Sequence, residues 1–93
     1  RLLLTHIAIA RLHLIRNVRT RAQSLDSRLV VFGHSHQPFL GREGRFALFN
    51  PGAAGPRRFR LPTTYGVLTL SERGLDFAHI DLETGSPWAS RNP

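Results

Sequence analysis

Apolar residues first gather in a short unbroken run, LLLTH at 2–6, that ends in polar residues. Such a run is expected of an interior strand covered on both faces. The period then changes. Between Arg11 and Leu25, the residues Leu14, Ile15, Val18, Ala22 and Leu25 recur at helical spacing. His13, Arg16, Asn17, Thr20, Arg21 and Ser24 fall on the other side, which predicts an amphipathic helix over 11–25. Asp26 and Ser27 break it, and RLVVF at 28–32 repeats the buried-strand pattern. Residues 2–32 therefore read as a βαβ unit whose two strands run parallel.

Beyond residue 38 the apolar runs are short: FALFN at 46–50, YGVLTL at 65–70 and LDFAHIDL at 75–82, the last with clear alternation. Glycine and proline separate them, as expected of antiparallel strands joined by turns. SERG at 71–74 predicts a hairpin turn in which Gly74 takes a positive φ. NPGAAGPRRFRLP at 50–62 holds three prolines and two glycines and reads as a loop. From Ser86 onward little can be buried, so one domain over 1–85 and a flexible tail over 86–93 are expected. No internal repeat or low-complexity segment interrupts this order.

Length changes the picture only by limiting it. A chain of 93 residues makes at most one small domain and buries roughly 60% of its unfolded surface. It contains no cysteine, which excludes disulfides and thiolate-bound zinc and leaves His, Asp, Asn and Glu as metal ligands. It contains no methionine either, even at position 1, so it reads as a piece of a longer protein. No apolar run has the length of a membrane span and the start lacks the order of a signal peptide, which leads us to expect a cytoplasmic protein with no membrane partner. The thirteen basic side chains, all arginine, outnumber six acids. That excess suits a nucleic-acid surface, but an arginine-biased composition balanced elsewhere in the protein is the favoured explanation.

Candidate chemistry sits at Gly33-His34-Ser35-His36, directly after the second parallel strand. Ligands of parallel α/β sheets gather at the carboxyl ends of the strands. Gly33 is expected to supply the sharp turn that lets both imidazoles face one space. Imidazole is a strong neutral ligand for Zn, Mn, Fe and Ni, and two of them one residue apart can reach two neighbouring ions. His6 ends the adjacent strand, so three of the five histidines are expected on one rim. His13 on the polar helix face and His79 in an alternating strand read as structural or solvated.

Taken together, LLLTH, a helix, LVVFGHSHQP, a β-hairpin region, FNPGAAGPRR and YGVLTL resemble the C-terminal half of a calcineurin-like metallophosphoesterase. The branch most similar is that of the small bacterial and archaeal phosphodiesterases, which share their fold with a retromer subunit. The resemblance spans residues 1–82 and implies the C-terminal portion of a four-layer α/β/β/α sandwich. It implies two divalent ions: His34 and His6 would bind one, His36 the other. Ile7 stands where the family usually has glycine, and Ala53 where it usually has serine. The family's Asp-x-His, Gly-Asp-x-x-Asp and Gly-Asn-His motifs occur nowhere in these residues, and with them go the bridging aspartate and the histidine that assists the leaving group.

Three histidines bring no negative charge to offset the repulsion of two dications. This stretch alone is therefore expected to bind metal weakly and to hydrolyse poorly, with no catalytic residue of its own. Arg57, Arg58 and Arg60 follow the NPG turn and have the shape to grip a substrate phosphate, although exposed loop arginines are the commoner case. Asn50, Pro51 and Gly52 shape the loop beside the rim, Asn50 through hydrogen bonds to its neighbours.

The first functional reading is a metal-dependent phosphoesterase whose activity falls as acid protonates the histidines. The alternatives are a non-catalytic interaction scaffold of the same fold and a basic nucleic-acid-binding module. Substrate, metal and oligomeric state are not legible in the sequence.

Overall fold

The computed structural model describes residues 1–10, 13–55 and 61–88. In chain order its elements are β1 (Leu2–Leu4), β2 (Ile9–Ala10), β3 (His13–Leu14), α1 (Arg16–Ser24), β4 (Leu29–Val31), β5 (Phe39–Glu43), β6 (Phe46–Asn50), β7 (Thr64–Ser71), β8 (Gly74–Asp81) and β9 (Pro87–Trp88). A four-stranded sheet runs in the order β1-β4-β6-β5. Its first three strands are parallel, and β5 closes antiparallel on β6. A second, antiparallel sheet has the order β7-β8-β9, and β2 pairs with β3 as a small hairpin. The expected βαβ unit is present, with β1 and β4 in register from Leu2↔Leu29 to Leu4↔Val31.

The period of two along the strands divides the core into two layers. Val30 and Leu48 are register partners and face the helix side, where they pack with Phe32, Phe46, Leu14, Ala8 and Ala22. Their neighbours Leu29, Ala47 and Phe49 face the other way, against Leu75 and Phe77 of β8. Helix, first sheet and second sheet form three of the four layers that the resemblance implies. Each large apolar side chain fully buried in these layers contributes about 1.5–3 kcal/mol.

Two expectations change. The helix begins at Arg16 rather than Arg11 because Ile15, its N-cap, is extended (φ −65°, ψ 138°). The preceding backbone is already committed: the Ile15 N–H donates to the Ala8 carbonyl at 2.8 Å, and the Leu14 N–H to Glu43 Oε1 at 3.0 Å. Residues 11 and 12 lie outside the described residues. At the other end, Asp26 takes φ 53°, with the Asp26 N–H on Gln23 O and the Ser27 N–H on Ala22 O. This pair of bonds satisfies the last helical carbonyls and stops the helix where the sequence places the break.

The second change is at the end of the chain. Pro87 and Trp88, expected to belong to a loose tail, pair with Ile80 and His79. Trp88 stands edge-on to the His79 ring at 5.7 Å, so the chain is held through Trp88. Residues 89–93 lie outside the described residues. Gly74 has the positive φ expected of it, 125°. Among the described residues no helix is long and apolar enough to cross a membrane.

Candidate metal rim

Hydrogen bonds continue the parallel ladder past the strand ends and set the site. The Thr5 N–H reaches Val31 O at 2.9 Å, the Gly33 N–H reaches His6 O at 3.0 Å, and the Phe32 N–H reaches Phe49 O at 3.0 Å. These place His6 beside the residue that opens the Gly-His-Ser-His turn. The two imidazoles meet with His34 Nδ1 3.3 Å from His6 Nε2, rings 5.1 Å apart and nearly perpendicular at 79°.

Gly33 is not the residue that turns the chain. The left-handed conformations belong to the histidines themselves, at φ 74° for His34 and φ 64° for His36. A Cβ on Gly33 would meet nothing nearer than His6 O at 3.9 Å, an ordinary contact. Left-handed backbone at a residue with a Cβ costs of order 1–3 kcal/mol and persists only where the surroundings hold it. Two such residues in one tripeptide mark the loop as held by its neighbours.

The pair has the bite of a metal chelate. Nitrogen ligands 2.0–2.1 Å from a tetrahedral zinc ion lie about 3.3 Å from each other, which matches the observed separation. Binding requires both nitrogens to offer lone pairs, so the proton of any N–H···N contact between the rings must leave. Nδ1 of His36 is buried without a hydrogen-bond partner among the described residues. Among the described residues no group of three His, Cys, Asp or Glu side chains comes together. His6 and His34 thus form a pair that no third such side chain joins among the described residues, His36 included.

Asn50 secures the loop from below. It is completely buried; its Nδ2 donates to Gly33 O and Ser35 Oγ, both at 3.2 Å, and its Oδ1 accepts from the Gly52 N–H at 2.9 Å. Gly52 needs to be glycine: φ is 83°, and a Cβ would fall 1.9 Å from Thr64 Oγ1. Thr64, buried at the start of β7, donates that hydroxyl to Pro51 O at 2.8 Å. The NPG turn is therefore tied to both sheets. Ser35 and Thr64 escape a reading of the sequence, since nothing in their spacing distinguishes them from other polar residues at strand ends.

Of the other candidates, His13 is exposed and its Nδ1 lies 3.2 Å from Glu43 Oε1. Arg19 also pairs with Glu43. Partial desolvation pushes the Glu43 carboxyl up, but the Leu14 N–H, the His13 contact and the Arg19 charge outweigh it and hold the group below the usual glutamate range. His79 is buried and stacks on Phe49 at 4.7 Å. Alternation along β8 places it on the same face as Leu75 and Phe77, a signal the sequence did carry. Ile7 lines a cleft of about 240 Å³ together with Ile9, Phe32, Phe39 and His34. Arg57, Arg58 and Arg60 lie outside the described residues.

Comparisons with known proteins agree on the fold. A sequence model of the calcineurin-like phosphoesterase superfamily domain matches residues 1–73. No curated protein matches the chain significantly in sequence. Among solved structures, a conserved Streptococcus pneumoniae protein described as a predicted phosphoesterase superposes with a TM-score of 0.64 at 19% identity, covering 78% of this chain and 42% of that one. Vps29 of Entamoeba histolytica, solved with zinc, gives 0.61 at 22% identity over 80% of this chain and 44% of that one. Vacuolar protein sorting 29 of Cryptosporidium parvum gives 0.60 at 20% identity over 78% and 40%. The chain spans less than half the length of each of these relatives.

Proposed function

The chain belongs to the calcineurin-like phosphoesterase superfamily, and on that premise we propose that its rim is the histidine half of a two-metal phosphoesterase centre. The observation that carries this reading is the 3.3 Å separation of His6 Nε2 and His34 Nδ1 at the carboxyl ends of two parallel strands. In this reading His6 and His34 hold one divalent ion, and His36, whose Nδ1 has no hydrogen-bond partner among the described residues, serves the second. Imidazole suits Mn, Ni, Fe or Zn alike, and the zinc in the Entamoeba relative is consistent with that range. The bound ions would supply an activated water nucleophile and neutralise charge on a phosphodiester or phosphomonoester. The acidic ligands that hold two dications together would come from residues outside this sequence, in a cytoplasmic protein. Arg57 and Arg58 would bind the phosphate.

The test is hydrolysis of bis(p-nitrophenyl) phosphate by the protein as its gene encodes it. Chelation is expected to abolish turnover and manganese to restore it. His34→Ala should lower the rate by more than about 100-fold, because loss of a group merely supporting a ligand already costs 10–100-fold. A second reading, an interaction scaffold of the same fold, is favoured by the lack of a carboxylate at the rim among the described residues and by the likeness to vacuolar sorting proteins. Absence of turnover in the metal-loaded protein would select it.

A further inference from the structure

We infer that His79, a residue of the second sheet outside the rim, is the positioning residue that sets the histidine loop. The inference rests on the metal-centre reading above and adds to it a chain of contacts. His79 Nε2 lies 2.7 Å from the main-chain carbonyl of Asn50. For that contact to be a hydrogen bond, Nε2 must carry the proton and donate it. Its ring is fixed on two sides, stacked on Phe49 at 4.7 Å and 22° and standing edge-on to Trp88 at 5.7 Å and 86°. The donor therefore has little freedom to move away. The Asn50 main chain, held from the second sheet, carries the amide that spans to Gly33 O and Ser35 Oγ, the residues on either side of His34.

That span is where support is needed. His34 and His36 both stand in left-handed backbone conformations, and a loop with such residues relaxes unless its neighbours hold it. The residues before and after His34 are held by one side chain, and the backbone bearing that side chain, paired with Phe39 of β5, is held from the second sheet by the His79 imidazole. Trp88 belongs to the segment expected to be loose, so the order of β9 acquires a purpose: it closes the pocket around His79. Residues that orient ligands in this way commonly matter about 10–100-fold for metal affinity.

The test compares His79→Phe, which keeps an aromatic ring for the stack and removes the donor, with His79→Gln, whose terminal amide lies near the position of Nε2. Two properties of the 93-residue chain are read: imidazole NMR signals of His6 and His34 without metal, and affinity for zinc. His79→Phe is expected to shift both imidazoles and to weaken zinc about 10-fold, and His79→Gln to restore both. If His79→Phe does not fold, His79→Asn replaces it, because its amide is too short to reach the Asn50 carbonyl. Unchanged imidazole signals and unchanged affinity in the donor-less variant overturn the inference and leave the metal reading intact. Shifted imidazoles in a chain that binds no zinc even as wild type support the positioning role and count against the metal reading alone.

Discussion

Asn50 stays fully buried because its amide is used on both sides: Nδ2 on Gly33 and Ser35, Oδ1 on the Gly52 N–H. Asn50→Ala leaves the partly buried Gly33 carbonyl and Gly52 N–H without this partner, at up to about 1–3 kcal/mol for each unsatisfied group. The expected loss is about 2–4 kcal/mol in urea unfolding, together with weaker metal binding. Gly52→Ala forces a Cβ against Thr64 Oγ1 in a left-handed conformation, and a similar loss of about 2–4 kcal/mol is expected. Wild-type stability in either variant would show that the NPG turn is held by other contacts. The roles of these two residues were readable in the sequence, since Asn-Pro-Gly is itself a turn signal. The work assigned to Gly33 was not: the turn is made by His34 and His36, and left-handed histidines leave no mark in composition or spacing.

At the scale of elements, Glu43 of β5 joins the hairpin β2–β3 to α1, accepting from the Leu14 N–H and pairing with His13 and Arg19. Its carboxyl is held below the usual glutamate range in the folded chain. A depressed folded value means that the unfolded chain binds the proton more readily. The contribution of Glu43 is therefore complete above the ordinary glutamate range and fades as pH falls through the lowered value. Thermal melts of wild type and Glu43→Gln should differ most near neutral pH and converge as pH falls below the ordinary glutamate range. A constant gap across that range would mean that the charge contributes nothing. This clasp also explains why the helix is shorter than the helical spacing predicts. Leu14 and Ile15 continue the helical spacing of Val18 and Ala22, but their amides go to Glu43 and Ala8, contacts between residues distant in sequence that periodicity cannot register. The strands fared better because Leu29–Val31 and Phe46–Asn50 alternate between two cores, and apolar runs of that kind are themselves the signal.

At the scale of the whole molecule, the first sheet ends at β1 with an unpaired edge. Leu2 and Leu4 point away from the helix layer and are 53% and 74% exposed. A strand expected to be covered on both faces is covered on one. Exposed apolar strand edges favour association, so the 93-residue chain should self-associate in sedimentation as its concentration rises. Leu4→Lys is expected to reduce that association while changing stability by no more than about 0.5 kcal/mol; unchanged association would place the sticky surface elsewhere. At the rim, likewise, no carboxylate joins the two neighbouring imidazoles among the described residues.

The most direct test of the account is a zinc titration of the chain followed through the imidazole NMR signals of all five histidines. His6 and His34 are expected to shift together and to saturate, while His13 and His79 stay where they are, and His34→Ala is expected to abolish the response at His6. If the five histidines respond alike, or if His6 and His34 do not move at concentrations that shift the others, the rim is not a metal site.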